Sequence, residues 1–238
     1  MQNRLTLANT ALFLALAGVP RAARAQEPAP GAALSSADQA AGWVMLFDGS
    51  SAAAWRGYKS GTLPAGWSVV DGALTRTGPG GDIVTRTTYG NFELTLEWKI
   101  SPGGNSGIMY RVTEKNEATY ESGPEMQVLD DAAHPDGGNR LTSAGACYGL
   151  YAGPAGVVKP AGEWNRVRIV VVGSHAEHWL NGVKMVEYSL GSPEWLARVA
   201  ASKFSQWPGY GKAARGRIAL QDHGDEVAYR DIRIRELR

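Results

Sequence analysis

The chain has 238 residues, of which 24 are Lys or Arg and 23 Asp or Glu, and it carries one cysteine. That balance leaves no basic face for nucleic acid and no cluster of basic residues for an anionic membrane surface, and a single cysteine excludes an intrachain disulfide. Some 200 residues are enough for one domain, which must then hold itself together by burial.

In chain order, Arg4 precedes the apolar run Leu5 to Val19, and "ARA" follows at Ala23 to Ala25. This is the layout of a secretory leader, with cleavage expected after Ala25. The apolar run is too short and too quickly interrupted for a membrane span. A periplasmic or secreted product is expected, without membrane insertion. Residues 26–40, rich in Ala, Pro and Ser, read as a flexible lead-in, and one domain is expected over residues 41–238.

Strand signals fill that domain. "WSVVDGALTR" predicts two strands about an Asp71-Gly72 turn. "NFELTLEWKIS" alternates Phe92, Leu94, Leu96 and Trp98 with polar residues, which predicts one buried face. "SGIMYRVT" and "PEMQVLD" follow. "WNRVRIVVVGSHAEHWLNGVKMVEYS" predicts a three-strand meander turning at Gly173-Ser174 and Asn181-Gly182. Only "SPEWLARVAASKF" has helical spacing, with Ser192 as cap and Pro193 in the first turn. The last pair of strands is expected to form a hairpin about the polar knot Gln221 to Glu226. The expected fold is all-β, a two-sheet jelly-roll β-sandwich with one short helix.

Side-chain parity picks out candidate site residues. Glu125 and Gln127 share one face of their strand, with Met126 and Val128 on the other. Gln221 and His223 are likewise of equal parity, opposite Leu220. Asn105, Ser106 and Arg111 surround the preceding strand. If these strands are neighbours, a carboxylate, an imidazole, amides and a guanidinium meet on one concave face. Such a face suits a sugar, whose hydroxyls need donors and acceptors. Trp207, in the loop "FSQWPGYG", is a platform on which a sugar ring can stack. The plainer readings are a solvated strand face for Glu125 and Gln127, a turn cap for His223, and a turn for Asn105-Ser106. Arg111 has a surface pair with Glu121 as its alternative. His178 divides between the site and a packed histidine. Trp164 and Trp179 are expected in the core, Cys147 as a small buried residue, and Asp225 with Arg230 as a structural pair.

The segments "GGNSGIMYR", "PEMQVLDD", "HWLNG" and "LQDHGDE", in this order and with their flanking strands, resemble the 3-keto-disaccharide hydrolase family over essentially all of residues 41–238. The resemblance implies a concanavalin-like jelly roll and action on glycosides already oxidised to a ketone at C3. A C3 ketone acidifies the C2 proton, so a base can remove it, the C1 substituent can leave, and water can add back. Glu125 and His223 supply base and acid in either order. Asn105, Ser106, Arg111, Gln127, Gln221, Trp207 and His178 would bind the substrate, a small carbohydrate. No cofactor is required by this route. A divalent ion held by carboxylate and imidazole is an alternative electrophile, although no ligand spacing argues for one. The competing reading is a non-catalytic carbohydrate-binding module of the same fold, and ordinary glycoside hydrolysis is a third. Glu125 together with His223 favours an enzyme.

Overall fold

The structure is a computed structural model and describes residues 33–238. The expected leader and the first part of the lead-in lie outside the described residues. Within the lead-in, α1 (Ser36–Ala40) is a five-residue helix closed by a capping box between Ser35 and Asp38.

Thirteen strands follow. In chain order the first eight are β1 (Trp43–Phe47), β2 (Trp55–Gly57), β3 (Trp67–Val70), β4 (Ala73–Arg76), β5 (Ile83–Thr85), β6 (Phe92–Ile100), β7 (Asn105–Val112) and β8 (Glu125–Leu129). Then come β9 (Asn165–Val172), β10 (His175–Leu180), β11 (Val183–Ser189), the helix α2 (Pro193–Ala200), β12 (Arg217–Leu220) and β13 (Val227–Glu236). They form two antiparallel sheets, one of eight strands and one of five. The larger runs β11-β10-β9-β6-β13-β4-β3, with β1 also on β13; the smaller runs β2-β5-β12-β7-β8. The chain is therefore the expected jelly-roll sandwich.

The alternation of β6 works as its sequence predicts. Phe92, Leu94, Leu96 and Trp98 face inward with Val167, Ile169 and Val171 of β9, and meet Ile108, Met126, Val128, Ile218 and Leu220 of the smaller sheet. Each such side chain contributes about 1.5–3 kcal/mol on burial. The β3–β4 turn at Asp71-Gly72 and the β10–β11 turn at Asn181-Gly182 place both residues at positive φ, as a two-residue type I′ hairpin requires. Helix α2 starts where expected, with the Ser192 hydroxyl accepting from the Trp195 N–H.

The polar knot departs from expectation. Strand β12 belongs to the smaller sheet and β13 to the larger, so residues 221–226 carry the chain from one sheet to the other and form no hairpin. The pair expected between Asp225 and Arg230 is absent. Asp225 accepts the Asn105 N–H at 3.0 Å, and Arg230 pairs with Glu97 at 2.7 Å. Trp164 and Trp179 are not in the core but lie half-buried beneath cations, Trp164 under Arg230 and Lys99, Trp179 under Arg168 and Lys184. Cys147 is buried, which pushes its thiol up to about 12.

Candidate active site

The parity of β8 places Glu125 and Gln127 on the outer face of the smaller sheet, over Met126 and Val128 in the core. Opposite them on β7 stands Gly107, and the Glu125 carboxyl lies across it; a Cβ there would overlap the carboxyl. Only Gly leaves that space, so the glycine of "NSG" has a steric reason to be a glycine. Glu125 is 5% exposed. Among the described residues its carboxyl has no hydrogen-bond partner. Burial pushes its pKa up to about 8, against the pull of the Lys203 ammonium and with a further push from the Asp82 carboxylate.

The amides beside it are poised in the same way. Gln127 donates from Nε2 to Asn105 Oδ1 at 3.2 Å, while its Oε1 and that of Gln221 are buried without a partner among the described residues. Such orphaned acceptors call for an explanation, and a ligand that donates to them is one. Gln221 and His223 arrive through the sheet crossing. The Gln221 N–H donates to Gly107 O, and the Asp222 N–H to Asp82 Oδ1. The Asp222 carboxylate accepts from the N–H groups of Gly80 and Gly81 and from Arg76. So Asp222 fastens the crossing, and His223, exposed, stands at its tip.

These groups open on a cavity of about 310 Å³. Asn105, Glu125, Gln127 and Gln221 form its floor, and His223 its rim. Tyr120, Tyr148, Lys203 and Trp207 form the wall. Trp207 meets Tyr120 edge to face with ring centroids 5.6 Å apart, and the Lys203 ammonium sits 4.4 Å from the Tyr148 ring centroid. The cavity thus presents a buried carboxyl of raised basicity, a solvent-reaching imidazole, one ammonium, unpaired amide oxygens and aromatic rings.

Residues 42–235 match the model of the 3-keto-alpha-glucoside-1,2-lyase-like domain family. The chain belongs to this family. A 3-keto-disaccharide hydrolase of Bacteroides thetaiotaomicron is 36% identical over 228 residues, covering 82% of this chain and 79% of that protein. The crystal structure of a candidate glycosyl hydrolase from Parabacteroides distasonis superposes with a TM-score of 0.80 at 34% identity, covering 87% of this chain and 99% of that one. A carbohydrate-binding module of Bacillus subtilis shares the fold alone, with a TM-score of 0.50 at 10% identity over 77% of this chain and 96% of the module. Membership in the lyase-like family makes the protein an enzyme of the hydrolase or lyase kind.

In this lyase-like chain six of the nine expected site residues come together: Glu125, His223, Asn105, Gln127, Gln221 and Trp207. Three do not. Ser106 has the opposite parity to Asn105, is buried, and donates inward to Gln221 O at 2.7 Å, with the Tyr229 hydroxyl 2.8 Å away. His178 is a core histidine on β10 between the sheets. Its Nε2 lies 3.0 Å from the Tyr110 hydroxyl, and burial pulls its pKa down to about 4, so it stays neutral. Arg111 is displaced by a bulge. Met109 and Val112 both face outward, which places one extra residue between them, and Arg111 takes φ +53° there. Its guanidinium donates to the carbonyls of Gly90 and Gly173, not to Glu121 and not into the cleft.

Sequence reasoning missed Tyr120, Tyr148 and Lys203. Tyr120 and Tyr148 come from connections, where no periodicity marks a face. Lys203 follows α2 in the 3-10 turn Lys203–Gln206. The usable signal was its place in the same loop as Trp207. Among the described residues, His175, Glu177 and Glu187 group as potential metal ligands, but on the larger sheet, where Lys184 bonds to both carboxylates.

Proposed function

We propose that the protein cleaves glycosides whose sugar carries a ketone at C3, by elimination and rehydration. One observation carries this reading: an unpaired, buried carboxyl, Glu125, whose pKa near 8 suits a base working near neutrality. Glu125 takes the C2 proton and the electron pair forms an enolate on the C3 oxygen. The enolate collapses, the C1–O bond breaks, and the departing oxygen receives a proton from His223. Water then adds across the enone: its OH goes to C1, its other proton restores His223, and Glu125, its proton exchanged with solvent, protonates C2. The sum is hydrolysis.

The Lys203 ammonium is the positive charge available to the ketone oxygen as the enolate forms. With that charge supplied by a side chain, the route as proposed needs no metal ion. Gln127 and Gln221 accept from sugar hydroxyls through their unpaired oxygens, and Trp207 stacks on the ring. The Bacteroides thetaiotaomicron relative, a 3-keto-disaccharide hydrolase, supports the 3-keto substrate class.

The test is turnover of a 3-keto-disaccharide and its unoxidised parent in deuterated water. The expected result is cleavage of the oxidised sugar alone, with deuterium at C2 of the released 3-keto sugar above that of an enzyme-free control. Cleavage of both sugars without C2 label would overturn elimination, and binding without cleavage of either would favour the carbohydrate-binding module. Export belongs to the same proposal. Mass spectrometry of the protein recovered outside the cytoplasm is expected to place its N-terminus at Gln26, and a mature form retaining residues 1–25 would contradict it.

A further inference from the structure

Two further cavities adjoin the cleft, and they differ in how they meet it. One, of about 360 Å³, shares Tyr120, Gln221 and His223 with the cleft. Its other walls include Tyr58, the main chain of Gly80 and Gly81, Asp82 and Ala118. The second, of about 520 Å³, runs along α2 past Leu196, Val199 and Pro208, and shares with the cleft only Trp207. Cleavage as proposed above needs two spaces, one for the ring that bears the ketone and one for the alcohol that leaves. The group that protonates the departing oxygen must stand between them.

Glu125 lines the cleft alone, so the C2 proton belongs there. His223 lines both the cleft and the Tyr58–Asp82 cavity, so the C1–O bond belongs at their junction. We infer that the Tyr58–Asp82 cavity is the leaving-group subsite, and that it takes a polyhydroxylated leaving group such as a second sugar. The inference rests on the proposed function. The chemistry of the walls sets the class. Asp82 is held in place by the Asp222 N–H at 2.9 Å and by the Thr119 hydroxyl, which fixes a carboxylate to receive sugar hydroxyls. The Tyr58 hydroxyl lies 3.0 and 2.8 Å from the carbonyls of Thr113 and Asn116, which share its one proton. Those anchors present the ring as a fixed platform for a second sugar face. The α2 groove has apolar walls and reaches the cleft behind Trp207, away from His223. It is the rival site, suited to an apolar aglycone.

The experiment uses three substrates with the same 3-keto-glucosyl unit and different leaving groups: glucose, methanol and a phenol. Ala118→Phe fills the Tyr58–Asp82 cavity from an extended backbone position (φ −128°). Val199→Trp fills the α2 groove. Ala118→Phe is expected to raise KM for the disaccharide about tenfold or more relative to the methyl glycoside, while Val199→Trp leaves all three KM values within about twofold. Asp82→Asn, which keeps the side chain's shape, is the second probe. It is expected to raise the disaccharide-to-methyl ratio of KM several-fold even if Ala118→Phe folds poorly. Equal effects on both substrates, or none, from Ala118→Phe and Asp82→Asn overturn the subsite. So does a rise in KM for the phenyl glycoside confined to Val199→Trp. In either case continued turnover of the methyl glycoside leaves the proposed function standing. Failure of the wild-type protein to cleave any of the three overturns both.

Discussion

The outer faces of the two sheets hold much the same residue types and treat them in opposite ways. On the larger sheet Glu93 sits between Arg168 and Arg235, Glu97 pairs with Arg230, and Glu177 accepts from Lys184 and from Trp179. Burial would raise the Glu93 pKa, yet its two guanidiniums bring it below the ordinary value. Glu177, also against a burial push, is pulled down to about 2. On the smaller sheet Glu125 has no hydrogen-bond partner among the described residues and is pushed up to about 8. The amide oxygens of Gln127 and Gln221 are orphaned beside it. A polar face with every group satisfied has nothing left to offer a ligand. The unsatisfied one is costly to fold and free to react, which is why polarity alone does not mark a site and unpaired burial does.

The largest test of that contrast is catalytic. Glu125→Gln keeps the shape and removes the base, and is expected to lower kcat by about 10² to 10⁴. Wild-type kcat/KM is expected to rise with pH towards a plateau above about 8, since the ionised carboxyl is the base. A falling limb at that pH would instead assign Glu125 as the acid. His223→Ala is expected to lower kcat within the same range, and less for a substrate with a phenolic leaving group, which departs without help.

The same substitution is expected to act on stability with the opposite sign. The folded pKa of Glu125 is raised, so folding binds its proton more tightly than the unfolded chain does. That contribution is fully present below about pH 4.5 and is lost as pH rises towards 8. Glu125→Gln should therefore unfold at higher temperature than the wild type at pH 8, by an amount on the order of a few kcal/mol in stability. Glu93→Gln should do the reverse. Its folded pKa is depressed, so its contribution is present at neutral pH and is lost as pH falls through that value. At pH 7 it should lower stability and leave kcat unchanged. Thermal unfolding of Glu125→Gln at pH 5 and pH 8, and of Glu93→Gln at pH 7 and in a series below pH 4.5, checks both signs.

The sequence discloses the first half of this contrast and conceals the second. Parity on β8 alone sets Glu125 and Gln127 apart from Met126 and Val128, because a strand with one buried face permits no other register. What parity cannot carry is a bulge. Arg111 has the same parity as Asn105 and would share its face, had the extra residue at φ +53° not turned it to the carbonyls of Gly90 and Gly173. Nor can parity say which sheet a strand joins. The crossing at Gln221 to Glu226 looks like a hairpin because both flanks alternate, and only the pairing of β12 with β7 and of β13 with β6 separates them. Lys203, Tyr120 and Tyr148 come from segments between strands, where position follows from long-range packing. The pairing of charges is hidden for the same reason. Nothing in the composition distinguishes Glu125 from Glu93.

The smallest expected effects come from a tryptophan on each face. Trp207 and Trp179 are both half-buried, but different chemistry covers them. The indole of Trp179 is occupied: its N–H donates to Glu177 at 2.7 Å, and Arg168 and Lys184 lie 5.4 and 5.2 Å from its centroid. Trp207 instead rests against Tyr120 and Phe204 and lines the cleft. Trp207→Ala is expected to raise KM for a 3-keto-disaccharide by about tenfold and to change kcat little, since stacking holds ground state and transition state alike. Trp179→Ala should leave KM and kcat as they are and cost about 0.5–1 kcal/mol of stability, the usual worth of exposed cation–π contacts. A fall in kcat for Trp207→Ala larger than its rise in KM would mean that the indole orients the reacting C2–H bond towards Glu125. A kinetic effect of Trp179→Ala would be the sharper surprise, because it would show that a face whose groups are all satisfied still takes part in the reaction.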